Sequence, residues 1–123
     1  MKTKIHSFTD LFVWKEAHTL ALIIYKMTKT FPSDEKFALV DQMRRCVISI
    51  TSNIAEGFSR QGKKEKIQFY YVAKGSLTEL QNQLLLARDL GYIDQKLFVS
   101  VAETTVIVHK LLNKFIVSAQ EKV

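Results

Sequence analysis

Residues 63–90, KKEKIQFYYVAKGSLTELQNQLLLARDL, place apolar side chains at Ile67, Tyr70, Ala73, Leu77, Leu80, Leu84, Ala87 and Leu90. Steps of three and four match the 3.6-residue turn of an α-helix, so one side of this segment is a continuous apolar stripe. Gly91 follows the last periodic residue, where a glycine commonly ends a helix. Ahead of the segment, Ser59-Arg60-Gln61-Gly62 is the best turn in the middle of the chain.

Moving toward the N-terminus, a second stripe runs through Leu39, Val40, Met43, Val47, Ile50 and Ile54. Ser33 offers it an N-cap, and Asp34 and Glu35 place negative charge at the positive end of its dipole. A first helix carries Val13, Trp14, Ala17, Leu20, Ala21, Ile24, Tyr25 and Thr28, with Thr9 or Asp10 as cap and Phe31-Pro32 as its end. Toward the C-terminus, Asp94 can cap a fourth helix through Leu97, Phe98, Val101, Ala102, Thr105, Val108, Leu112, Phe115 and Ile116. The segments, about 10–30, 34–58, 63–90 and 95–118, are of similar length and joined by short connections. Short connections force neighbours antiparallel, so the expected fold is all-α, an up-down-up-down four-helix bundle in one domain over residues 1–123.

The composition agrees. The chain holds four glycines and one proline in 123 residues, with 47% apolar and 24% charged residues, few places for tight turns. Cys46 is the single cysteine, which excludes an intrachain disulfide framework and suits a reducing, cytoplasmic setting. The polar N-terminus leads into no apolar run, and Thr19 to Tyr25 is far short of the ~20 residues a membrane span needs. Neither signal peptide nor membrane helix is expected.

These blocks resemble a known family. Phe8 to Ala17, Phe31 to Leu39, Gln42 to Arg45, Ser49 to Gly57, Ala73 to Leu80 and Leu90 to Ile93 together are similar to the four-helix-bundle proteins of bacterial 23S rRNA intervening sequences, also labelled S23 ribosomal protein. The resemblance implies a four-helix bundle and a homo-oligomer. Relatives include the accessory variability determinant of diversity-generating retroelements, whose pentameric, positively charged barrel engages nucleic acid and a reverse transcriptase. Thr51 stands where the family usually has a proline that kinks the second helix, and Cys46 where a small residue is usual. The fourth helix is matched by pattern alone.

Candidate chemistry is sparse. His6, His18 and His109 fall in no Glu-x-x-His pairing of the kind bundle metal sites use, so no metal or cofactor is expected. Cys46 lies beside Arg45 but is followed by apolar Val47 and Ile48, which favours a packed, inert thiol. Trp14 and Tyr25 lie on the core stripe rather than on a base-stacking platform, and Phe8 suits a staple against the first turn. No nucleophile, base and metal set assembles, so no enzyme is expected.

Gln42, Arg45, Ser49, Asn53 and Glu56 form a polar line beside the stripe of the second helix, suited to a subunit interface or an intrachain network. Equal rise on either side of the Gln61 turn sets Ser49 near Ala73, Gly75 and Ser76, where small residues would let the backbones close up. It also sets Arg44 and Arg45 near Glu79, as an ion pair between helices.

The net charge is +6 and the pI about 9.5, which raises the odds of a polyanionic partner. Arg60, Lys63, Lys64 and Lys66 cluster at the central turn with Glu65 among them, and the bundle brings Lys2, Lys4 and Lys122 to the same end. Asp34, Glu35, Asp89 and Asp94 fall at the opposite end. The charge excess is thus polarised, and the four clustered residues are the candidate surface for RNA or DNA backbone, against the alternative of a solvated rim. A third reading is a scaffold that recruits a protein partner without touching nucleic acid.

Overall fold

The computed structural model describes residues 4–121, and the apolar stripes there become four helices: α1 (Phe12–Thr28), α2 (Leu39–Ser59), α3 (Lys63–Asp89) and α4 (Gln95–Glu121). Each helix packs on two neighbours, in the cycle α1–α2–α3–α4, and the backbones of the diagonal pairs stay apart. Leu20, Ile24, Met43, Ile50, Ile54, Leu77, Leu80, Leu84 and Leu112 are fully enclosed along the axis. Each such side chain contributes about 1.5–3 kcal/mol through the apolar area removed from water. The α2–α3 interface is the most extensive.

The antiparallel order follows from which ends meet. Phe31, just past α1, packs on Tyr92, between α3 and α4, with ring centroids 5.2 Å apart. At the other end Gln120 Nε2 donates to Tyr71 Oη at 3.3 Å, joining the end of α4 to the start of α3.

Two helix starts differ from the expectation. Residues 33–35 form a separate 3-10 turn, and α2 begins at Leu39. Tyr92 Oη donates to Glu35 Oε2 at 2.6 Å, which pins this turn toward the α3–α4 connection instead of leaving the carboxylate over the α2 N-terminus. Likewise α1 begins at Phe12, after a turn at Phe8–Asp10. The Asp10 carboxylate turns back to accept from the amides of His6 (2.9 Å) and Ser7 (3.1 Å), bonds that hold its pKa below the usual carboxylate range. Neither Thr9 nor Asp10 caps α1.

Other signals land where the sequence put them. Phe8 packs edge-on against Trp14 at 5.2 Å. Gly91 takes φ 78°, a left-handed conformation that costs glycine nothing, while the Tyr92 amide closes back on the Ala87 carbonyl at 3.0 Å. Asp94 Oδ1 accepts from the Leu97 amide at 2.8 Å, a side-chain cap for α4. α2 runs unbroken through Thr51, whose hydroxyl donates to the Val47 and Ile48 carbonyls.

Candidate nucleic-acid interface

The end of the bundle formed by the α2–α3 connection gathers the cationic residues, and their surroundings separate them into two kinds. Arg60 is braced: Nη2 meets Glu56 Oε2 at 3.0 Å, Nη1 meets Glu65 Oε1 at 3.7 Å, and the guanidinium lies over the Phe69 ring. Lys66 donates to the Phe58 carbonyl at 2.7 Å and the Gly57 carbonyl at 3.4 Å, so its ammonium caps the negative end of α2. Both carry charge at this end, yet both also hold the connection together. Lys63 and Lys64 are exposed and form no ion pair with a described residue. They sit on the first turn of α3, whose N-cap, Gly62, gives no side-chain bond to the opening amides. Those open amides and the helix dipole add to the positive field there. Lys4 is exposed; Lys2 and Lys122 lie outside the described residues.

A cleft of about 260 Å³ opens beside Lys63 and Lys66, walled by Phe58, Tyr70 and Phe115 with Ser118 on its lip. The Tyr70 and Phe115 rings are tilted against each other at 4.7 Å. Tyr70 is 2% exposed, and burial pushes its hydroxyl pKa up to about 12.

The polar line on α2 divides. Ser49 Oγ and Ser76 Oγ are 2.7 Å apart, and Asn53 Nδ2 donates to the Ser49 carbonyl at 2.8 Å, so these two α2 residues form an internal link to α3. Gln42, Arg45 and Glu56 are exposed. The expected ion pair between α2 and α3 does not form. Arg45 Nε instead meets Asp41 Oδ2 at 2.9 Å on its own helix, and Arg44 turns to α1, donating to Thr28 Oγ1 (3.0 Å) and the Tyr25 carbonyl (3.2 Å). The reason is directional: Arg44 and Arg45 flank the buried stripe, while the end of α1 offers Arg44 the Thr28 hydroxyl, the Tyr25 carbonyl and an aromatic face. Tyr25 is accordingly at the surface under the Arg44 guanidinium, 4.6 Å from ring centroid, and not in the core; Trp14 is half-buried and stacks on His18.

The close approach of α2 and α3 is at Gly57, not at Gly75. A Cβ on Gly57 would lie 2.6 Å from Tyr70 Cε1 and 2.8 Å from Phe69 Cβ, whereas one on Gly75 would meet nothing within 4 Å. A glycine in the last turns of an otherwise regular helix was the available signal for this contact.

Cys46 is 5% exposed, with Glu79 and Gln83 at its thiol, and burial followed by the Glu79 charge pushes its pKa up to about 11. At pH 8 such a thiol is about one part in 1,000 thiolate, so alkylation by iodoacetamide is expected to run about 100-fold slower in the native protein than in guanidinium. Equal rates in the two states would show that the thiol is open. Among the described residues, no three His, Cys, Asp or Glu side chains gather to hold a metal ion, and no helix is long and apolar enough to cross a membrane.

One apolar surface extends beyond the sequence stripes. Leu85, Val99, Val106 and Ile107 are exposed and adjoin the stripe residues Phe98 and Ala102 along α3 and α4, with Glu103 among them, and Val106 and Ile107 are 45% and 48% exposed. Valine and isoleucine at positions 99, 106 and 107, outside the α4 core spacing, carried the signal.

Comparisons with known proteins agree with this fold. No curated protein matches the chain. A crystal structure of a protein with unknown function from the S23 ribosomal protein family of Bacteroides thetaiotaomicron is similar at a TM-score of 0.76 and 24% identity, over 85% of this chain and 97% of that one. The profile of the 23S rRNA-intervening sequence proteins matches residues 9–114, the blocks of all four helices, and by that match this chain belongs to the 23S rRNA-intervening sequence protein family.

Proposed function

We propose that the protein is a non-catalytic, oligomeric nucleic-acid-binding protein that holds structured RNA or DNA backbone at its basic end. The observation that carries this reading is the pair Lys63 and Lys64, exposed and forming no ion pair with any described residue, on the first turn of α3 beside Arg60 and Lys66. Two exposed lysines on a helix turn with open amides suit phosphate oxygens and carry no means of reading sequence. The family's own description, which names 23S rRNA intervening sequences, gives an RNA setting consistent with that surface.

A polarity test separates this reading from simple attraction to a basic protein. Charge reversal at the opposite end, Lys36→Glu with Lys96→Glu, is expected to leave affinity for a structured RNA within about threefold, since these sites lie more than a Debye length from the bound phosphates. Reversal of Lys63 and Lys64 is expected to lower that affinity about 100-fold. Equal losses at both ends would sink the reading and favour a scaffold whose bundle touches only protein.

The oligomer is proposed on the exposed apolar surface of α3 and α4. Exposed apolar side chains along one face favour association, and a closed ring repeats each basic end around one rim, so weak phosphate contacts act together. The family resemblance implies five copies. Val106→Glu is expected to give a monomer of 14.2 kDa in sedimentation with unchanged helical circular dichroism. A wild type that sediments as a monomer, or a variant that still assembles, contradicts this interface.

A further inference from the structure

We infer that the cleft between Phe58, Tyr70 and Phe115 receives one unstacked nucleobase from a bulge or loop of the bound RNA, while Lys63 at its mouth takes the adjoining phosphate. The inference rests on the nucleic-acid reading above and specifies the class of target.

The cleft has the size of one small planar group, about 260 Å³, just under the ~300 Å³ at which pockets for drug-sized ligands begin. Its walls include three aromatic rings and the Ala119 methyl, with Gln61, Lys63 and Lys66 around them and the Lys66 ammonium 5.3 Å from the Phe58 ring centroid. That pairing of aromatic walls with a cationic rim is complementary to a nucleotide, which has a π-face at one end and a phosphate at the other.

Tyr70 adds a second, independent observation. Its ring is packed against Phe115 and Gly57, yet its hydroxyl makes no hydrogen bond with any described residue. Among the described residues the one enclosed polar side-chain atom without a partner is Gln83 Oε1, so the Tyr70 hydroxyl is not sealed in; the opening that Tyr70 borders is this cleft. A hydroxyl at an apolar wall, with both donor and acceptor capacity unused, suits the edge of a base. Ser118 on the lip offers a second hydroxyl.

A fully paired helix keeps its bases stacked and presents only its backbone. It would therefore meet the lysines and leave the cleft empty. A bulged nucleotide is already unpaired, so its insertion costs little and adds the stacking contact.

The test uses the full chain and two RNA hairpins of equal length and charge, one fully paired and one with a single-nucleotide bulge labelled with 2-aminopurine. Anisotropy is expected to give about 10-fold tighter binding of the bulged hairpin, with a change in 2-aminopurine emission on binding. Ser118→Trp fills the cleft from an exposed position and leaves the core contacts in place; it is expected to bind both hairpins with the affinity of wild type for the paired one. Tyr70→Phe, which removes only the hydroxyl, is expected to lose part of the preference. Equal binding of both hairpins by wild type, or a preference that survives Ser118→Trp in a folded variant, overturns the cleft assignment and leaves backbone binding standing. Failure of both hairpins to bind at low salt overturns the nucleic-acid reading itself.

Discussion

With Lys63 and Lys64 both changed to glutamate, affinity for structured RNA is expected to fall about 100-fold at 50 mM salt, and the slope of log affinity against log salt to shrink by about 2. Two cations leave the surface and two anions arrive, where Glu56 and Glu65 already stand beside Arg60. The remaining Arg60 and Lys66 are held in place by their own partners, so they keep the connection folded but are poorly placed to compensate. Both substituted residues are exposed and make no contact on which the fold depends, so thermal stability should change by less than about 0.5 kcal/mol. An unchanged affinity in a folded double variant would remove Lys63 and Lys64 from the interface.

The largest effect on stability is expected at Gly57. Gly57→Val should destabilise the bundle by about 3 kcal/mol, because even the first carbon of a side chain would sit 2.6 Å from the Tyr70 ring and 2.8 Å from Phe69. The intrinsic gain from replacing a helical glycine, up to about 1 kcal/mol for alanine and less for valine, offsets only part of this. Neither neighbour can step aside cheaply: Tyr70 is pinned between Gly57 and Phe115, and Phe69 Cβ moves only with the α3 backbone. Gly75→Ala, in open space, is the matched control and should stabilise by up to about 1 kcal/mol. Chemical denaturation of the two variants separates them; a neutral Gly57→Val would mean that α2 and α3 slide apart without cost.

How much of this was legible in the sequence differs by feature. Periodicity reports which side of a helix is buried, so most of each stripe and the Gly91 and Asp94 ends could be read directly, while Tyr25, Leu90 and Leu97, on the stripes by spacing, are exposed near helix ends. The start of α2 could not, because the 33–35 turn is held by Tyr92, from a connection 57 residues away. Equal rise along α2 and α3 brings Ser49 level with Ser76, as observed, but rise carries no information on rotation about the helix axis. Arg44 therefore found α1, and Arg45 found Asp41.

The candidate site shows the same division. That the cations cluster at one end follows from topology alone. Which of them are committed does not: Lys66 is drawn in by carbonyls at the end of α2, and Arg60 by a carboxylate on each side of the turn. The cleft depends on side chains from α2, α3 and α4 meeting at one end, a juxtaposition no single helix records.

The central claim is that the basic end holds nucleic-acid backbone, and its most direct test is the salt dependence of binding. Fluorescence anisotropy of the wild-type protein with a structured RNA and with duplex DNA, from 50 to 200 mM salt, is expected to give a linear fall of log affinity with log salt for both, with a slope of about −2 or steeper. Absence of binding to either at the lowest salt would contradict the account and leave the cationic end a solvated rim.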